Sequence, residues 1–249
     1  MKNPLRKAII IICAVLLVIA AAFGIYVHDY YHADAEALAV LEQPAPQVEV
    51  ESVEGRQIVF RPTSPAAGAS CGLIFYPGGK VQCEAYAPLM QALAERGIFC
   101  VIVRMPCNLA VLDADAAEGI AEQYPEVDRW YLGGHSLGGV MAASYAAGHP
   151  DECEGLILLA AYTTKSFAGC SLRALSVYGS EDGVLNMEAY QKNYKNLPPD
   201  TKEHVIEGGC HAYFGYYGAQ DGDGTPTITR DEQIEQTADV AAAFLKDAD

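Results

Sequence analysis

Six short segments, CGLIFY, GIFCVIV, RWYLGG, GLILLAA, ALSVYG and EHVIEG, recur between residues 71 and 208, each with an unbroken apolar centre. A strand with one wet face alternates apolar and polar residues, so continuous runs of this length imply strands buried on both faces. The segments between them read as helices: Glu84 to Arg96 stops at Gly97, Asp113 to Gln123 precedes Pro125, and Gly138 to Gly148 ends at Pro150. A last helix spans Asp231 to Phe244, with Thr229 as its N-cap. Ahead of these, Val48 to Val53 alternates and Gln57 to Phe60 follows as a hairpin partner, which predicts antiparallel outer strands. The pattern implies one α/β domain from residue 47 to 249, a mostly parallel sheet with helices on both faces. With 51% apolar and 19% charged residues, such a chain can fill a core without disulfide staples.

The N-terminus has a separate logic. Ala8 to Val27 contains no charge, and as a helix it is about 30 Å long, the thickness of a bilayer's hydrocarbon core. Residues 1–7 are basic and HDYYHADAEALA is acidic, so the positive-inside rule predicts a signal anchor at 8–27 with the body outside the cytoplasm. The alternative is secretion after cleavage near Ala20 to Ala22. Residues 28–46 read as a short helical stalk, Ala33 to Leu41, and the linker EQPAPQ. The net charge is −16, and without Lys2, Arg6 and Lys7 it is −19, which disfavours nucleic acid as a partner. Oligomeric state is not encoded in any motif. Seven cysteines follow Cys13, and Cys83 with Cys107 is a candidate disulfide.

The segment RWYLGGHSLGG runs from a strand through Gly134-His135-Ser136-Leu137-Gly138 into the small-residue helix GGVMAASYAAG. A serine at a tight strand-to-helix turn needs glycine neighbours, because the two backbones approach closely there. Gly68-Ala69-Ser70-Cys71-Gly72 matches the same bare pattern, but Ser70 precedes a strand instead of following one and reads as a loop serine. Ser136 is therefore the candidate nucleophile. In this arrangement acid and base follow in the order serine, carboxylate, histidine. Asp182, in the turn after ALSVYG, is the candidate carboxylate, with Glu181 as the alternative. His211, in the loop after EHVIEG, is the candidate base. His135 reads as packing or hydrogen bonding. The Leu137 N–H, at the head of a helix, and the Gly79 N–H in YPGGK are the expected oxyanion donors, with Lys80 N–H as second choice in that loop.

On FYPGGK, GGHSLGG, YGSEDGV and EGGCHAYFGYYGAQDGDG, residues 47 to 249 resemble the α/β-hydrolase superfamily, and more narrowly its small, lidless, dienelactone-hydrolase-like branch with membrane anchors. The resemblance implies hydrolysis of esters or thioesters through an acyl-serine, with neither metal nor organic cofactor. Pro77-Gly78 stands where many members carry His-Gly, and dienelactone hydrolases themselves use cysteine, so their substrate does not transfer. The same architecture serves peptidases, acyltransferases and non-catalytic binding proteins. Only Tyr162 to Arg173 joins the sixth and seventh strands, too little for a cap domain, so an open site for a small or envelope-borne ester is expected. Tyr213, Phe214, Tyr216 and Tyr217 are candidate pocket residues, with core packing as the alternative. Asp221-Gly-Asp223-Gly-Thr225 imitates a calcium loop, but Pro226 stands where that loop needs glycine, and a plain turn is expected.

Overall fold

The computed structural model describes residues 4–63 and 71–247, which form two compact units, Met1–Tyr30 and Tyr31–Asp249. Gly68, Ala69 and Ser70 lie outside the described residues. In the first unit, helix α1 (Pro4–His28) exposes its apolar side chains all round, and Leu5–His28, with a mean hydropathy of 3.2, is long and apolar enough to cross a membrane. A secretion signal shares those properties.

Among the described residues the second unit is built on eight strands: β1 (Val48–Val53), β2 (Gln57–Pro62), β3 (Cys71–Tyr76), β4 (Phe99–Val103), β5 (Arg129–His135), β6 (Gly155–Leu159), β7 (Arg173–Gly179) and β8 (Lys202–Ile206). They lie side by side in the order β1-β2-β4-β3-β5-β6-β7-β8. The β1–β2 and β2–β4 pairings are antiparallel and the rest are parallel. The unbroken apolar runs have the cause inferred for them. In β3, Leu73 and Phe75 enter the layer that holds α3 (Ala87–Glu95) and α7 (Arg230–Lys246), while Ile74 and Tyr76 enter the layer that holds α5 (Leu137–Gly148). Each such side chain taken fully out of water contributes about 1.5–3 kcal/mol. The β6–β7 connection, residues 160–172, carries no inserted domain. All parallel strands therefore end at one open edge, and the loops there build the site.

Two segments depart from expectation. Residues 113–123 form a run of turns that becomes α-helical only at α4 (Ile120–Gln123). The Tyr76 hydroxyl accepts from Ala117 N–H at 2.9 Å and donates to the Ala114 carbonyl at 2.9 Å, and Gly119 is left-handed at φ 73°. Side-chain bonds and a reversed φ there replace the helical ladder. The expected stalk is part of the folded body: helix α2 (Ala35–Glu42) is capped by Asp34, buries Ala37, and packs Val40 and Leu41 on the core. Asp34 also pairs with Arg230, at 2.5 Å. Helix α6 (Met187–Asn193) lies between β7 and β8, and α7 opens with a capping box between Thr229 and Glu232.

Candidate active site

Ser136 sits between β5 and α5 with φ 51° and ψ −123°, a conformation that costs about 1–3 kcal/mol for a residue with a side chain. Its neighbours explain how the turn closes. A Cβ placed on Gly138 would stand 2.1 Å from the Tyr76 carbonyl oxygen, and one on Gly134 would stand 2.6 Å from the Gly138 backbone. Strand, turn and helix therefore touch backbone to backbone, and only glycine fits. Ser136 N–H donates to Leu159 O at 2.9 Å, tying the turn to the end of β6. The side chain is half-exposed at the sheet's open edge. Directly after it, the first N–H groups of α5 have no partner within the helix, and their partial positive charge faces outward from the helix start.

The candidate acid and base lie after the ends of β7 and β8. After β7, Asp182 accepts from Val184 N–H and Leu185 N–H through Oδ1, at 2.9 and 2.8 Å. These bonds aim its Oδ2 at His211 Nδ1, 2.9 Å away. Both side chains are almost wholly out of solvent, at 2% and 1% exposure, so the pair is poorly screened. Nδ1 is taken by the carboxylate, and the buried Nε2 has no partner among the described residues. No hydrogen bond joins it to Ser136 Oγ, a bond that commonly tightens only when substrate is present. Glu181, the alternative acid, is exposed and accepts from Ser180 Oγ at 3.1 Å. The turn holds Asp182 toward the histidine and Glu181 toward solvent.

The loop after β3 lies against the head of α5: a Cβ on Gly79 would meet Leu137 Cδ2 at 2.8 Å. Among the described residues none accepts from the Gly79 N–H or the Leu137 N–H. Lys80 N–H, by contrast, donates to Asn108 O at 2.7 Å, so this second-choice donor is committed to the chain. Gly78 N–H donates to the Tyr86 hydroxyl at 3.0 Å. Tyr86 in turn reaches His135 Nδ1 at 2.8 Å. Burial pushes the His135 imidazole far below its ordinary range, and the neighbouring His211 adds to this. It is therefore neutral, and the Tyr86 hydroxyl bridges the Gly78 N–H and the His135 ring. The His135 and His211 rings lie 4.5 Å apart, so this chain reaches from the glycine loop to the base.

The expected pocket residues fall elsewhere. Phe214 is fully buried, its ring 5.5 Å from His135, and Tyr217 is buried against Tyr86. Tyr213 and Tyr216 lie under the Arg230 guanidinium, 5.4 and 4.6 Å from it, and the Tyr216 hydroxyl bonds Asp231. These side chains form the wall behind the base and a clasp around Arg230, because the loop folds inward onto α7. The Cys83–Cys107 disulfide is absent: Cys83 Sγ is buried between Arg104 and Glu84, and Cys107 is exposed. Asp223, from the calcium-like stretch, is occupied by backbone amides of Gly183, His211, Ala212 and Gly224. That part and the Tyr86 bridge were missed by sequence reasoning. The paired Asp-Gly steps were the only local signal for the first, and nothing local marked the second.

A family model described as the alpha/beta hydrolase family matches residues 72–235. No curated protein matches the sequence. Among solved structures, a predicted CIB-like hydrolase from Thermoplasma acidophilum is similar with a TM-score of 0.55 at 16% identity, over 80% of this chain and 98% of that one. Esterase 2 of Thermogutta terrifontis, phosphoramylated by tabun, gives 0.54 at 17% identity over 82% and 96%. Est1E from Butyrivibrio proteoclasticus gives 0.52 at 16% identity over 78% and 97%. At these identities the likeness establishes the shared fold.

Proposed function

The chain belongs to the α/β hydrolase family, and we propose that it is a serine hydrolase that cleaves carboxylic esters or thioesters through an acyl-serine intermediate. One observation carries the reading: the buried His211–Asp182 pair at 2.9 Å shares the sheet's open edge with a strained, half-exposed serine. In the first step Ser136 Oγ attacks the acyl carbon while His211 Nε2 takes its proton. Asp182 holds the imidazole in the right tautomer and balances its charge. The oxyanion receives N–H bonds from Leu137 and Gly79, each such donor being worth about 3 kcal/mol in the transition state. Collapse breaks the bond to the alcohol or thiol, which leaves with the proton from His211. Water then repeats the sequence on the acyl-enzyme and regenerates Ser136.

Without a cap domain, the site admits a small ester or one carried on envelope material. Helix α1 is the anchor in this reading, with residues 1–7 cytoplasmic and the catalytic body outside. An esterase of the same fold was solved as a phosphorus adduct, which supports an organophosphorus probe for the test. The full-length protein in detergent is treated with a fluorophosphonate. Labelling is expected in the wild type and in Ser70→Ala, absent in Ser136→Ala, and reduced at least a hundredfold in His211→Ala. A folded wild type that takes up no probe would sink the hydrolase reading and leave a binding protein on the same fold.

A further inference from the structure

Asp223 lies eleven residues or more from each member of the proposed triad, yet its carboxylate touches the backbone of both loops that carry the acid and the base. Oδ1 accepts from His211 N–H at 3.1 Å, from Gly183 N–H at 3.2 Å and from Gly224 N–H at 2.8 Å. Oδ2 accepts from Ala212 N–H at 2.8 Å. Gly183 directly follows Asp182, so one carboxylate fastens the turn of the acid to the loop of the base. The two loops also approach directly, since a Cβ on Gly179 would meet Gly209 O at 2.2 Å. Glu181 N–H donates to that same carbonyl at 2.8 Å.

We propose that Asp223 is a positioning residue for the hydrolase reaction, a second carboxylate that sets the Asp182–His211 geometry through the backbone and touches neither substrate nor imidazole. The proposal rests on the triad reading of Ser136, His211 and Asp182. The physical reason for a carboxylate is its acceptor capacity: an ionised Asp offers two oxygens to converging N–H groups, whereas Asn at the same place turns a donor toward one set of them. Burial alone would push the Asp223 carboxyl up, but the four backbone donors outweigh it and hold the group below the ordinary carboxylate range.

The test uses full-length protein in detergent with Asp223→Asn, and Asp221→Asn as a control on the exposed carboxylate two residues away. Fluorophosphonate labelling is followed to completion, so that the rate constant at saturating probe and the final stoichiometry are read separately. Asp223→Asn is expected to reach full stoichiometry with a rate constant at least tenfold lower and unchanged probe affinity, while Asp221→Asn matches wild type. In parallel, the downfield proton resonance of His211 Nδ1–H, assigned by its loss in His211→Asn, is expected to move upfield in Asp223→Asn. A wild-type rate constant would overturn the proposal. So would lost stoichiometry with the remaining fraction reacting at the normal rate, the mark of a merely structural role. If wild type takes up no probe, the hydrolase reading has failed, and an unmoved Nδ1–H resonance then overturns the clamp on its own account.

Discussion

The two halves of the site are held by different physics. On the nucleophile's side, β5, the turn and α5 are locked by contact between backbones, with no room for a Cβ at Gly134 or Gly138. On the side of the acid and base, the loops are held by carboxylates, Asp182 and Asp223, that gather backbone N–H groups. Steric contact is indifferent to pH and salt, whereas charge-assisted bonds depend on ionisation. The candidate nucleophile is thus presented by a frame of backbone contacts, and the candidate base by a frame of charge-assisted bonds. Between the halves stands the neutral chain from Gly78 through Tyr86 to His135.

The sharpest way to break this comparison is at the steric half. Gly138→Ala places a methyl carbon against the carbonyl oxygens of Tyr76 and Pro77, at 2.1 and 2.3 Å, and the backbone cannot yield without opening the elbow. A loss of about 3 kcal/mol or more is expected in urea unfolding, together with the loss of probe labelling. A loss under about 1 kcal/mol would show that the elbow has slack and that its rigidity is not steric.

The bridge is tested next. Tyr86→Phe leaves Gly78 N–H without its acceptor and His135 Nδ1 without its hydrogen-bond partner, both buried. The expected cost is about 2 kcal/mol. Retention of wild-type stability would mean that the two loops are fixed independently of this chain.

The smallest effect concerns acid. His135 is neutral when folded, with its pKa depressed below the unfolded value of roughly 6.5. A depressed group has its stability in full above the unfolded pKa and loses it as pH falls, since the unfolded chain then binds a proton that the native state refuses. Between pH 6 and pH 5 this contributes a loss of about 1.4 kcal/mol at most. His135→Gln removes the group, so its unfolding free energy should fall less than the wild type's over that interval. Equal slopes in urea titrations at the two pH values would show that His135 is not the acid-sensitive member of the bridge.

How legible each half was follows from the same physics. The elbow was readable because its constraint is local: Gly-His-Ser-Leu-Gly between an apolar run and a small-residue helix can satisfy the steric demand within one segment. The strand set was readable because burial on both faces leaves continuous apolar runs, and Val48–Val53 as an edge strand kept its alternation. Residues 113–123, expected as one helix before Pro125, are not one because Tyr76, about forty positions away, takes backbone bonds the helix would use. The aromatic run after His211 looked like a pocket because apolar rings suit either a cleft or a core, and only the inward turn of the loop onto α7 chose between them.

The sequence by itself determined the class of fold and the serine at its turn, because each is encoded in short stretches of chain whose sterics or burial do not depend on distant partners. Only the tertiary structure decided that Asp182 and not Glu181 meets the histidine, that Lys80 N–H is already spent on Asn108, that the segment before β1 belongs to the body, and that Asp223 ties the loops after β7 and β8 together. Each of these depends on which hydrogen-bond partner lies within about 3 Å once the strands have been laid in the order β1-β2-β4-β3-β5-β6-β7-β8. That proximity is a property of the assembled sheet and of no single segment in it.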